Sequence, residues 1–297
     1  MFEIRDFSFR YREGAEPVLR DVNLTIADGA FVGVTGAAGS GKSTLTYALN
    51  GIVPHCYPGD FYGSVSVMGR DTVETSLTDL SRLVGSVCQD VDSQMVSPIV
   101  EDEILFGLEN FGVPHEEIPA RLDEVLDEMG IAELRDCTIA SLSGGQRQKV
   151  AIASVVALHP AALVLDEPTA ELDPASSIAV FELLKRHARE HGTTVVVVEQ
   201  KIALMCEYAD ELVVLDGGRV RFAGAPEEVL VHSDELLEIG VNCPRSTTLS
   251  NRLRAAGVYD GPACRDVAEA SRMVCDVVRG GAAGAAEGDA MRSEVRA

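Results

Sequence analysis

The run Gly36-Ala37-Ala38-Gly39-Ser40-Gly41-Lys42-Ser43 constrains this chain more than any other feature, because its pattern belongs to a strand, a tight glycine turn and a helix in that order. Before it, Phe31-Val32-Gly33-Val34-Thr35 is apolar or small throughout, as in a strand covered on both faces. Glycines let the backbone curl so that successive N–H groups converge on a phosphate, and a helix opening at Lys42 adds the positive end of its dipole. Lys42 then reaches the β- and γ-phosphates of a nucleotide and Ser43 reaches Mg²⁺. Gly36, Ala37, Ala38, Gly39, Ser40, Gly41 and Thr44 complete the cradle.

Two further stretches carry chemistry. Leu163-Val164-Leu165-Asp166-Glu167 ends an apolar run in adjacent acids, where Asp166 can hold Mg²⁺ through water and Glu167 can polarise an attacking water. Leu142-Ser143-Gly144-Gly145-Gln146 opens a helix-patterned run, so Ser143 and the following N–H groups form a second helix N-terminus suited to an anion.

The remaining pattern surrounds these motifs with an α/β fold. Phe2 to Phe9 and Val22 to Ile26 alternate apolar with polar residues, as half-buried antiparallel strands do. Ala162 to Leu165 and Thr193 to Val198 are buried runs separated by helix-patterned sequence, which implies a parallel core. Residues from about 90 to 158 read as a helical subdomain; Leu122, Val125, Leu126 and Met129 share one face there, and Gly130 ends that helix. A hairpin turn at Asp216-Gly217-Gly218 closes a main domain spanning 1–228. A small helical extension follows over 229–279, then a Gly/Ala-rich tail over 280–297 expected to be flexible.

Composition narrows the partners. Lys and Arg total 25 against 47 Asp and Glu, and the resulting charge of −22 counts against nucleic acid as a partner. No apolar run approaches a membrane span, and charges in Met1 to Asp6 replace the apolar stretch of a signal peptide. The seven cysteines form no CxxC pair, and their odd number favours reduced thiols. His55, His115, His159, His187, His191 and His232 are scattered and read as holding no metal.

Phosphate loop, LSGGQ and a strand ending in Asp-Glu, in that order and spacing, resemble the ATP-binding cassette (ABC) ATPases over residues 1 to about 228. The resemblance implies a P-loop NTPase core with a mixed central sheet, an N-terminal antiparallel β-subdomain and a helical subdomain. It also implies ATP hydrolysis with Mg²⁺, in a head-to-tail dimer where Ser143, Gly144, Gly145 and Gln146 serve the nucleotide held by the other subunit. Tyr11 resembles the aromatic that stacks on adenine, with Phe9 as the alternative. Gln89 matches the glutamine that joins the γ-phosphate and Mg²⁺ side to the membrane subunit. Asp173 matches an acid that crosses between subunits, and an N-cap for the helix at Pro174 is an equally physical role. One position departs from the pattern: Gln200 stands where the family has a histidine contacting the γ-phosphate. An amide donates a hydrogen bond but cannot become a cation, so the site is expected to bind ATP and hydrolyse it more slowly than a histidine-bearing one.

Leu49 to His55, Gln89 to Gln94 and Val100 to Asn110 look like the ATPase subunits of energy-coupling factor importers, which take up vitamins and transition-metal ions. Gly240 to Gly257 is similar to the short region that pairs ATPase subunits in that group. The resemblance implies a second ABC ATPase subunit, in a homo- or heterodimer, and a peripheral place on the cytoplasmic face of the membrane. A transmembrane coupling subunit would dock near Gln89 to Glu103, with a substrate-binding membrane protein attached indirectly. Asp90, Asp92, Glu101, Asp102 and Glu103 would there receive arginine-bearing helices. Another ABC importer or exporter, or a weakly hydrolysing regulatory ATP-binding subunit, stands as the alternative.

Overall fold

Each buried strand divides its side chains between two cores, because successive residues point to opposite faces. A computed structural model describes residues 1–11 and 16–279; the tail expected over 280–297 lies outside the described residues. Strands β1 (Phe2–Arg10), β2 (Leu19–Ile26) and β3 (Phe31–Gly36) come first, followed by helices α1 (Lys42–Leu49) and α2 (Ile52–His55). Then come β4 (Asp60–Val67), β5 (Arg70–Asp71), α3 (Leu77–Ser81) and β6 (Val84–Val87). The helices α4 (Val91–Gln94), α5 (Val100–Asn110), α6 (Ile118–Met129) and α7 (Gly144–Val156) lead to β7 (Ala162–Asp166). After α8 (Pro174–His191), β8 (Thr194–Val198) and α9 (Ile202–Tyr208), the hairpin β9 (Glu211–Asp216) and β10 (Arg219–Gly224) precedes α10 (Pro226–Leu230), α11 (Ser233–Glu238) and α12 (Arg245–Ala255).

Two sheets result. The larger has the order β10-β9-β3-β8-β7-β6, parallel except for β10, and the smaller is the antiparallel β2-β1-β4-β5. Val32 and Val34 of β3, Val164 of β7 and Val196 and Val198 of β8 face the smaller sheet and α1, burying Phe2, Phe7, Phe9, Leu45 and Leu49 with them. Phe31, Leu163, Leu165, Val195 and Val197 face the other way, into a core filled by α5 to α8. Helix α6 presents Leu122, Val125, Leu126 and Met129 to that core and ends at Gly130 in the left-handed conformation.

The main core continues past residue 228: Leu230, Leu236, Val241 and Ala263 are buried in the same cluster as the helical layer. Burial of Cys264, Ala270 and Met273 forms a separate small cluster at the C-terminal side. Among the described residues, no helix is long and apolar enough to cross a membrane.

Candidate nucleotide-binding and hydrolysis site

The strand order decides the site. In parallel sheets, ligands gather at the carboxyl ends of the strands, and β3, β8, β7 and β6 are consecutive neighbours. Their C-terminal ends deliver, side by side, the loop 36–43, Gln200, the pair Asp166-Glu167, and Gln89. These residues lie far apart in sequence and meet because the sheet is parallel.

Backbone shape makes the phosphate cradle. Gly36 and Gly41 take φ of 151° and 101°, a region closed to most L-residues, and a Cβ on Gly36 would sit 2.2 Å from the Leu215 carbonyl oxygen. Helix α1 starts at Gly41 with no side-chain cap and no acid in its first turn, so its N-terminal N–H groups and dipole remain available to an anion. The Lys42 ammonium is buried and donates to the carbonyls of Gly36 (2.8 Å) and Ala37 (2.9 Å), inside the loop. Ser40 Oγ is buried without a hydrogen-bond partner. An uncapped helix start, an enclosed cation and an orphaned hydroxyl fit a phosphate group.

Beside this loop the Ser43 hydroxyl hydrogen-bonds Asp166. Burial pushes the Asp166 carboxyl above its usual range; the Ser43 bond opposes this, neighbouring Glu167 adds to it, and Lys42 opposes it. An oxygen pair of one hydroxyl and one carboxylate suits hard Mg²⁺, which keeps most of its waters.

Glu167 is held from both sides. Its Oε1 accepts from Gln200 Nε2 at 2.7 Å and its Oε2 from Gln89 Nε2 at 3.1 Å. Its backbone sits in the left-handed region at φ 49°, and its N–H donates to the Val198 carbonyl at 2.8 Å. For a residue with a Cβ that conformation costs roughly 1–3 kcal/mol, so it persists only where its surroundings enforce it. Two amide donors thus fix where the carboxylate points without neutralising it. Gln200, which the resemblance sets where the family has histidine, is in direct contact with Glu167. Gln200→His is expected to raise ATP turnover, because an imidazole near the γ-phosphate can carry positive charge; turnover unchanged from wild type, measured by phosphate release, would sink the idea.

Sequence reading missed what holds Gln200. Glu199 is buried, and its Oε1 accepts from the backbone N–H groups of Gln200 (2.9 Å) and Lys201 (3.2 Å), while its other oxygen accepts from the Thr169 hydroxyl. Lys201 Nζ in turn donates to the Leu172 carbonyl (3.2 Å) and Ser177 Oγ (2.9 Å), and also to the Thr169 carbonyl. The segment after β8 is thereby tied to the segment after β7. The available signal was an acid interrupting a wholly apolar run directly before a polar residue.

Other expected residues fall into place differently. Tyr11 hydrogen-bonds Thr44 Oγ1 at 2.9 Å and forms an edge contact with Tyr57, which places it at the start of α1, whereas Phe9 is fully buried in the core and has no face to offer a base. Asp173 caps α8, accepting from the N–H groups of Ala175 (2.9 Å) and Ser176 (3.1 Å) and from the Ser176 hydroxyl, which hold its carboxyl below the usual range. Ser143 forms a capping box with Gln146 at the start of α7. The cavity that Ser143, Gly145 and Gln146 border also includes Ile131, Lys149 and Ser176, with no residue of the 36–43 loop. Gly144, the first residue of α7, borders another cavity together with Gln89 and Glu167.

The acidic group near Gln89 is mostly used from within. Asp90 caps α4, Asp92 pairs with Arg147 (3.0 Å), Glu101 accepts from Nη2 and Nε of Arg135 (2.7 and 3.0 Å), and buried Glu103 accepts from Val96 and Ser97 N–H. The Arg135 bond holds the Glu101 carboxyl below its usual range. Of the five carboxylates expected to receive arginines from a partner, Asp102 is the one with no such internal role among the described residues.

Residues 19–170 match the ABC transporter family. The chain is 39% identical over 258 residues to the energy-coupling factor transporter ATP-binding protein EcfA1 of Caldanaerobacter subterraneus subsp. tengcongensis, covering 86% of this chain and 91% of that protein. Among solved structures it resembles cbiO1 of Clostridium perfringens, described as part of the ABC transporter complex cbiONQ, with a TM-score of 0.72 and 31% identity over 82% of this chain and 96% of that one. It also resembles a dimeric ATP-binding cassette in a post-hydrolysis state bound to ADP and Pi, with a TM-score of 0.66 and 27% identity over 76% of this chain and 99% of that one. The geometry at the ends of β3, β6, β7 and β8 and these similarities agree: the chain belongs to the ABC transporter family, as an ATP-binding and ATP-hydrolysing subunit.

Proposed function

We propose that this subunit energises a membrane importer of the energy-coupling factor type, working as a dimer on the cytoplasmic face of the membrane. The observation that carries the dimer is the likeness to a dimeric ATP-binding cassette, together with the Ser143 end of α7 bordering a cavity that includes no residue of the 36–43 loop. A head-to-tail pair lets the Ser143 end of one subunit complete the phosphate site of the other. The similarity to EcfA1 and to cbiO1 supports the importer class.

In this reading the loop N–H groups and Lys42 bind the β- and γ-phosphates, and Ser43 with Asp166 would hold Mg²⁺, which when bound supplies positive charge against the phosphate oxygens. Glu167 accepts a proton from the water that attacks the γ-phosphorus, and the Gln89 and Gln200 amides keep its carboxylate aimed at that water. Phosphate departure then removes what joins the two subunits, and the dimer opens. Gln89 links this chemistry to the surface over 89–110, where Asp102, Val96 and Phe106 are exposed and available to a transmembrane coupling subunit.

Gentle detergent purification of the tagged chain from its native cell tests the proposal. A second ABC ATPase and small integral membrane proteins are expected to co-purify, and Asp102→Lys to weaken that association without changing ATP binding. A chain that purifies alone would overturn the importer assignment and leave the ATPase.

A further inference from the structure

The opposite end of the sheet carries a second set of ligand-type side chains. His187 and His191 lie one turn apart on α8, and α6 brings Glu128 against both. His187 Nδ1 is 2.6 Å from Glu128 Oε1, His191 Nε2 is 3.6 Å from Glu128 Oε2, and one ligating atom from each of the three residues lies within 4.8 Å of the others. Ligand atoms on a tetrahedral zinc ion with bonds of about 2.0–2.1 Å stand roughly 3.3 Å apart, between those two separations. Small rotamer adjustments therefore suffice to close the three groups on one ion.

The surroundings also suit a metal. His187 Nδ1 now shares a hydrogen bond with Glu128; an ion replacing that bond would leave the ring proton on Nε2, where Thr193 Oγ1, 3.3 Å away, can accept it. Such an outer partner sets the tautomer of histidines that bind metals. The His187 and Glu128 side chains are only 3% and 12% exposed, which holds them in place, while His191 at 37% opens on a cavity of about 410 Å³. That cavity also reaches Asp28, His159 and Thr194, at the entry ends of the strands, and includes no residue of the phosphate loop. Two imidazoles and one carboxylate select borderline ions over Mg²⁺ and Ca²⁺, which prefer all-oxygen sites.

We propose that Glu128, His187 and His191 bind a divalent transition-metal ion of the zinc type, with the remaining coordination position open to the cavity. Because Glu128 belongs to α6 and the histidines to α8, the bound ion ties the helical layer to the helix packed on the sheet. The sequence reading set His187 and His191 among scattered histidines holding no metal: they are four residues apart on α8, but their carboxylate comes from a helix 59 residues away from His187.

The test uses the full chain without a histidine tag, kept reduced and titrated with Co²⁺. One equivalent is expected to bind with visible d–d bands and without thiolate-to-cobalt charge-transfer absorption, to be displaced by Zn²⁺, and to raise the melting temperature. His191→Ala, at the exposed ligand, and the isosteric Glu128→Gln are each expected to weaken binding on the order of tenfold or more, with an unchanged circular-dichroism spectrum and unchanged ATP binding. Absence of Co²⁺ binding, thiolate charge-transfer bands, or affinity that both variants leave at the wild-type value would overturn the proposal.

Discussion

Glu167→Gln is expected to lower ATP turnover by about 10²- to 10⁴-fold and to leave ATP binding in place. That range is what a positioned general base contributes, equivalent to roughly 3–5 kcal/mol of transition-state stabilisation. Glutamine keeps the length and one acceptor oxygen of the side chain, so a hydrogen bond from Gln89 or Gln200 can persist, but it cannot take the proton of the attacking water. The left-handed backbone at this position is unchanged by the substitution, since both residues carry a Cβ. Phosphate release and fluorescent-nucleotide binding, measured on the same preparation, check the two halves of the statement. Wild-type turnover in the variant would remove Glu167 from the role of base, and loss of binding would show that the change had disturbed the loop instead.

Lys42→Ala is expected to weaken ATP binding by about 10- to 100-fold, the value of one hydrogen bond to a charged group, with turnover falling with occupancy. Two features make Lys42 this important. It is the loop's own cation, and it is buried, so that its attraction for phosphate is screened less than that of a surface lysine. Its present bonds to the Gly36 and Ala37 carbonyls are within the loop, so the ammonium is already desolvated and positioned before a nucleotide arrives. Calorimetric titration with ATP gives the affinity, and the circular-dichroism spectrum tells a binding loss from an unfolded loop. Wild-type affinity in this variant would mean that backbone N–H groups alone carry the phosphates.

The motifs were legible because each is local. The loop 36–43 needs its glycines for backbone shape and its lysine for charge, all within one strand, turn and helix, and Asp166-Glu167 follow directly on an apolar strand. Strands β1, β2, β3, β7 and β8 showed in their alternation or their unbroken apolar runs. Strand β6, Val84–Val87, was harder to see: it is four residues long and contains Gly85 and Ser86, so its strand character comes from pairing with β7. The internal partners of the carboxylate cluster were hidden for a related reason. Glu101 and Asp92 look unpaired in sequence, yet Arg135 hydrogen-bonds the first and Arg147 forms an ion pair with the second, from residues that the chain reaches only later.

By itself, then, the sequence determined the chemistry at each strand end: glycine conformational freedom, a buried lysine, adjacent acids, and a helix start capped by serine, all set by interactions within a few residues. The tertiary structure alone decided which of those ends meet. Placing β3, β8, β7 and β6 in one parallel sheet brings Lys42, Gln200, Glu167 and Gln89 together and lets Glu199 and Lys201 lock the segment that holds Gln200. Packing α6 on α8 likewise sets Glu128 on two histidines. Those contacts depend on strand order and helix packing, which are properties of the whole buried core and of no single stretch of residues.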